Sequence, residues 1–165
     1  MLRYAQKQTP KNLSLLRHPP IKDTGYFQKA YALHDLASTY VIHQYLQRKY
    51  TIFPIGVDLR QRRVIIENEV PDYLAERGKE LFCFDVKSKT SLRYFGWVNE
   101  RAVRSYRELV NECNISVYLI FVHVVQGKVG MVTGYSDVCQ HPKVKDVRAW
   151  NGNRVWIFDW KEGLP

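Results

Sequence analysis

Between Cys113 and Gly127 the chain contains no Lys, Arg, Asp or Glu, and Ile115 to Val125 within that stretch is rich in β-branched residues. A membrane helix needs roughly 20 apolar residues, so this run is too short to span a bilayer. It reads instead as a central strand covered on both faces, the core of a sheet. A strand of that kind requires neighbours on either side and a packed layer over each surface.

The rest of the chain supplies them. From Tyr26 to Lys49, apolar residues recur at Phe27, Ala30, Tyr31, Leu33, Ala37, Tyr40, Val41 and Leu46, close to the helical period, which predicts a first helix. Thr51 to Val57 and Val64 to Ile66 predict two strands joined by the polar turn 58–63, with Pro71 and Asp72 closing the second. Ala75 to Glu80 reads as a charged connection turning at Gly78. Leu81 to Lys89 alternates as a third strand, Phe82, Phe84 and Val86 on one face and Cys83, Asp85, Lys87 and Lys89 on the other. A second helix is expected over 99–114, with Asn114 at its end, followed by the apolar strand. Val129 to Tyr135 is its hairpin partner, and Arg154 to Trp160 a last strand. Gly127, Gly130 and Gly134 read as turn glycines, and His123 as a core histidine. The fold class is therefore α/β, a mixed central sheet flanked by helices.

The 25 Lys and Arg against 16 Asp and Glu leave a net charge of +9, which points to a polyanionic partner. Residues 1–22 hold Arg3, Lys7, Lys11, Arg17 and Lys22 with no acid, so residues 1–24 read as a basic arm and 25–165 as the folded domain. Cys83, Cys113 and Cys139 are odd in number and far apart, which argues against a disulfide framework. With no apolar leader near the start, a reducing, cytoplasmic setting is expected.

Chemistry concentrates at Pro71-Asp72 and Asp85-Val86-Lys87. Asp85 and Lys87 share a strand face about 7 Å apart, and a hairpin would bring Asp72 alongside. Two crowded carboxylates are relieved by a divalent cation, and magnesium binds through one or two carboxylates plus waters and phosphate oxygens. The competing reading of the same residues is a turn aspartate after Pro71 and a solvated edge strand carrying Asp85, Lys87 and Lys89. Arg60, Arg62 and Arg63 form a basic turn suited to phosphate, or a solvated hairpin tip. Tyr94, Phe95 and Trp97 either stack on a base or cover the core.

Pro71-Asp72, twelve residues, then Asp85-Val86-Lys87 resembles the motif of the PD-(D/E)XK nuclease superfamily, to which many restriction enzymes, Holliday-junction resolvases and repair exonucleases belong. The resemblance covers roughly residues 25–130 and implies the family's αβββαβ core. It implies Asp72 and Asp85 as metal ligands, with Val86 a further metal position, and Lys87 as the motif lysine. The family's first helix often supplies a Glu. Here residues 26–49 contain none, and Asp35, beside His34, is the substitute. Near the start of the second helix Arg101, or else Glu100, takes the place of the family's polar residue. The implied activity is Mg2+-dependent hydrolysis of DNA phosphodiesters, with Mn2+ as a substitute metal and RNA as a further candidate substrate. Paired cuts, as in a four-way junction, imply a two-fold homodimer. Lys89 and the basic residues of the arm join Arg101 as nucleic-acid contacts. The contrasting class is a basic nucleic-acid-binding protein without catalysis. Like-charge repulsion also leads to the expectation that, without metal, Asp85→Ala stabilises the fold.

The arm can be tested by salt. Each phosphate contact contributes a slope of about −0.9 on duplex DNA, so deleting residues 1–22 should flatten the salt dependence of DNA binding by up to about 4.5 if all five cations engage. Titrations at several salt concentrations read this, and an unchanged slope removes the binding role.

Overall fold

The computed structural model describes residues 24–56, 69–149 and 153–165. The element order is α1 (Thr24–Gln47), β1 (Thr51–Pro54), β2 (Tyr73–Arg77), β3 (Glu80–Lys89), β4 (Trp97–Asn99), α2 (Glu100–Cys113), β5 (Ser116–Val125), β6 (Lys128–Asp137), β7 (Val144–Ala149), β8 (Asn153–Ile157) and β9 (Lys161–Glu162). Six strands form one sheet in the order β1-β2-β3-β5-β6-β9, and β4, β8 and β7 form a second. Only the β3–β5 pair among the described strands of the large sheet is parallel, because α2 carries the chain from the end of β3 back to the start of β5. The architecture is mixed α/β with two described helices.

β5 divides the core. Val117, Leu119 and Phe121 pack on one face with Ala102, Val103, Tyr106 and Leu109 of α2 and with Trp156 of β8. Ile120, Val122 and Val124 pack on the other with Ala37, Val41 and Tyr45 of α1. Every one of these strand residues is essentially buried, each worth about 2 kcal/mol of transfer free energy. The alternation explains the unbroken apolar run: both faces of β5 are covered along its middle, and only its ends, with Tyr118 and His123 in part, reach water. Tyr45, Tyr50, Phe82 and Phe84 form a ring cluster beneath α1, with centroids 5.0 to 5.6 Å apart for the pairs involving Tyr45.

Several boundaries differ from expectation. The segment read as a connection, Ala75 to Glu80, is instead most of β2 and a tight turn at Gly78 and Lys79, Gly78 adopting φ +61. Charged Glu76 and Arg77 lie at the solvated end of a strand near the sheet edge, where polar side chains carry no cost. Asp72 accordingly precedes the second strand and does not close one. Val64 to Ile66 and the turn 58–63 lie outside the described residues, as do residues 1–23. The last expected strand belongs to the second sheet as β8, paired with β4 and β7, which the sequence reading left out. Asn114 ends α2 in the left-handed conformation, φ 51, its N–H bonded to the Val110 carbonyl. Gly130 and Gly134 are within β6, not in turns. Trp160 lies over Gly134, whose missing side chain makes the room.

Gly96 extends the β4–β8 pairing of the second sheet by one step. It adopts φ +80, its carbonyl accepts from the Phe158 N–H at 2.9 Å, and a Cβ here would run into the Phe158 carbonyl oxygen. Gly78 has a similar φ but open space around it. Gly96→Ala should therefore destabilise by at least about 2 kcal/mol and Gly78→Ala by only about 1 kcal/mol in denaturant melts.

Candidate active site

The twelve residues between Asp72 and Asp85 are five of β2, the turn pair Gly78–Lys79 and five of β3. Tyr73 pairs with Phe84, so the register carried one step further sets Asp72 opposite Asp85. The Val86 N–H donates to Asp72 Oδ2 at 2.9 Å, which locks the two together across the hairpin mouth. Asp85 is 3% exposed and β3 lies between β2 and β5, so the reading of a solvated edge strand does not hold.

A carboxylate in that position must be compensated. Lys87 Nζ stands 2.6 Å from Asp85 Oδ2, an ion pair without a well-directed hydrogen bond, and the Tyr106 hydroxyl donates to Oδ1 at 2.8 Å. Burial, then the Asp72 charge, push the Asp85 carboxyl up to about 6 against the pull of Lys87 and Tyr106. Burial also works against Lys87, but Asp85 and Asp72 outweigh it and hold the amine firmly as ammonium. Asp72 goes the other way. Burial would raise it, yet the hydrogen bond from His34, the Lys87 charge and the Val86 N–H together lower it. The pair is thus split: Asp72 is a committed anion and Asp85 a strained one.

From α1 it is His34 that reaches the site, its Nε2 3.3 Å from Asp72 Oδ2. Asp35 lies on the other side of that ring, 4.0 Å from His34 Nδ1 and about half exposed. The structure does not bring it to Asp72. The Asp72 hydrogen bond raises the His34 pKa despite burial, and Ser38, one turn on, lies 3.5 Å from Nδ1. Arg101 is tied to Glu69 at 2.6 Å, and Glu69 is close enough to add to the field on Lys87 and Tyr106. Glu100 faces away, paired with Arg104 at 2.5 Å and with Arg154 of β8 at 3.2 Å. Lys89 donates to the Trp97 carbonyl at 2.6 Å. Phe95 is a core residue and Tyr94 packs edge-on to Trp97 at 5.2 Å. Arg3, Lys7, Lys11, Arg17, Arg60, Arg62 and Arg63 lie outside the described residues.

Tyr106 and His34 were not singled out from sequence. Tyr106 sits in the apolar stripe of α2 and looks like core; its signal is that a buried phenol needs an acceptor. For His34, the i,i+4 spacing to Ser38 on a helix otherwise poor in acids was the available sign.

Magnesium suits this donor set in kind. The oxygens are hard, the two carboxylates crowd each other, and Asp85 Oδ2 lacks a directed hydrogen bond. Among the described residues no cluster of three or more His, Cys, Asp or Glu is arranged to hold a metal, so the protein would supply few ligands and substrate or water the rest. No helix of the described residues is long and apolar enough to cross a membrane.

No family model matches the chain. No curated protein matches it either. Among solved structures, it is similar to Hjc, a Holliday junction resolvase of the archaeal hyperthermophile Archaeoglobus fulgidus. That match has a TM-score of 0.49 and 9% identity, over 72% of this chain and 84% of that one.

The site's electrostatics set a stability profile. Removing Asp85 leaves Lys87 and the Tyr106 hydroxyl without their partner, which reverses the expectation that Asp85→Ala stabilises: it should cost at least about 2 kcal/mol in metal-free denaturant melts. In wild type, the raised Asp85 pKa means the folded state holds its proton longer than the unfolded one, so stability falls as pH rises from about 4 to about 6. The raised His34 pKa adds stability below its unfolded value of about 6.5, lost as pH rises through the folded value. Asp72, lowered, contributes above its unfolded value and loses that as pH falls. Metal-free stability should therefore decline up to about pH 6 through Asp85, and further as the pH rises past about 6.5 through the raised His34 value. A pH series of melts reads this, and Asp85→Ala should remove the lower part of that decline.

Proposed function

We propose that this chain is a divalent-cation-dependent DNA phosphodiesterase, an endonuclease, with magnesium as its metal and manganese as a substitute. One observation carries the reading: the β2–β3 register sets Asp72 against buried Asp85, with Lys87 held on the same strand face. A structural role alone does not account for two carboxylates desolvated side by side, one with its pKa pushed up to about 6.

In this reading Asp72, Asp85 and the Val86 carbonyl hold the cation. When bound, it lowers the pKa of a water and offsets charge on the pentacovalent phosphorus. Lys87 keeps its proton in this environment, so it donates: it orients the attacking water or meets the charge growing on the phosphoryl oxygens. Tyr106 fixes the Asp85 carboxylate and His34 fixes that of Asp72, so neither needs to reorganise as charge develops.

The net charge of +9 supports a polyanionic substrate. A site that works on phosphates reads no base edges, which favours recognition of DNA shape, and branched DNA such as a four-way junction is the proposed subtype. Two cuts in a junction call for two copies of the site, supplied by a two-fold homodimer.

The test is a cleavage panel with magnesium or manganese on supercoiled, linear, single-stranded and four-way-junction DNA, and on RNA. Cleavage is expected on DNA, strongest on the junction. Asp72→Ala, Asp85→Ala and Lys87→Ala should each lower the rate at least about a hundred-fold while DNA binding falls far less. DNA left intact under all conditions, with binding retained, would identify a non-catalytic nucleic-acid-binding protein. Preferential cutting of RNA would change the substrate class.

A further inference from the structure

Two residues beyond Lys87, on the same face of β3, stands Lys89, and its cross-strand partner on the parallel strand β5 is His123. The Lys89 amine is part buried. It donates to the Trp97 carbonyl at 2.6 Å, and among the described residues no carboxylate forms an ion pair with it. One carbonyl takes one of the three N–H groups of an ammonium. Burial and the neighbouring Lys87 hold its pKa down to about 8, with Asp85 pulling the other way. A part-buried cation short of counter-charge is a receptor for an anion.

His123 has a setting of its own. The pairing of β5 with β6 loses its regular register between Val122 and Val124, and His123 is the residue at that irregularity. Its ring lies against Gly130, where a Cβ would come within 3.0 Å of Nδ1. The extra residues lie on β6, where 130–132 face His123 alone, and irregularities of this kind are frequent next to active sites. The missing side chain at residue 130 leaves room for the ring. The core role expected for His123 does not describe it well, since it is only partly buried.

We infer that Lys89 and His123 form a second phosphate subsite, which takes the phosphate next to the one that is cut on the same nucleic-acid strand. This rests on the nuclease reading for the word "cut", and on geometry for the rest. Lys87 and Lys89 lie about 7 Å apart along β3, a step comparable with that between successive phosphates of a backbone. Lys87 is committed to Asp85 and the scissile position, whereas Lys89 has a neutral partner it can share. A phosphate there supplies the missing charge, accepts from the ammonium and from a ring N–H of His123, and fixes the register of the strand over Asp72 and Asp85.

The experiment uses the full chain and a series of four-way junctions, each carrying one neutral methylphosphonate. Binding is measured in calcium or EDTA, and cleavage of the unmodified junction in magnesium locates the cut. For wild type, the methylphosphonate beside the cut phosphate should weaken binding about ten-fold, the effect of one charged hydrogen bond. Lys89→Met should weaken binding of unmodified DNA by the same factor, lower the salt slope by about 0.9, and lose nothing further from that methylphosphonate. His123→Gln, which leaves Lys89 in place, should shrink the response at the same phosphate without abolishing it, and Lys89→Arg, which keeps the charge, should retain the response that Lys89→Met loses. If Lys89→Met melts early, Lys89→Arg and His123→Gln carry the measurement. Junction cleavage with no phosphate coupled to Lys89 or His123 overturns the subsite and leaves the nuclease reading intact. A coupled phosphate in a protein that cuts nothing supports the subsite and overturns the nuclease reading. Coupling at a phosphate remote from the cut overturns the assigned position.

Discussion

A carboxylate withdrawn from water inside a sheet has to be answered by its surroundings, and at Asp85 the answer comes from several directions. Lys87 answers from the same strand, Tyr106 from α2 across the layer, and the hairpin brings Asp72 and, behind it, His34 of α1. The hydrogen bonds therefore join both helical layers through one point near the middle of the sheet. The two core clusters, one beneath α1 and one beneath α2, lie on opposite faces of β5. Neutralising buried charge is seldom a net gain in stability, but removing one partner from such a set is costly, and that asymmetry holds the geometry.

The division of labour between the two carboxylates follows from position. Asp72 sits at the open mouth of the hairpin, where a backbone N–H and an imidazole reach it and lower its pKa. Asp85 sits directly across from it on β3, covered on its other side by β5, where burial dominates and raises it. The same residue type, at facing positions of the hairpin, is given opposite shifts by what surrounds it. Lys87 and Lys89 show a parallel contrast, the one held charged by acids and the other pushed down to about 8 by burial and its neighbour.

Much of this was legible in the chain. The β5 run and the two helices follow from hydrophobic periodicity, which long, strongly patterned segments express well. β2 was missed because Glu76 and Arg77 face solvent near a sheet edge, so the segment lacks the apolar alternation of a covered strand. β4 is only three residues long and β7 is mostly exposed or polar; both exist because β8 lies between them, a tertiary cause that local pattern does not record. Asp72, Asp85 and Lys87 stood out because their spacing matches a hairpin, even though the strand boundaries around them were misplaced. Tyr106 and His34 were hidden for opposite reasons: one wears the pattern of a core residue, and the other stands beside an acid that drew the attention its ring should have had.

The hairpin between the two aspartates also limits how its length can vary. Asp72 meets Asp85 because the residues between them divide evenly on either side of Gly78–Lys79. Adding one residue to each arm moves the turn outward and keeps the carboxylates opposed. A single insertion or deletion shifts one arm by a pleat, turns its side chains to the other face and separates the pair. Chain length here is counted in twos, so natural drift through single-residue gaps is closed to this segment unless a bulge absorbs the odd residue.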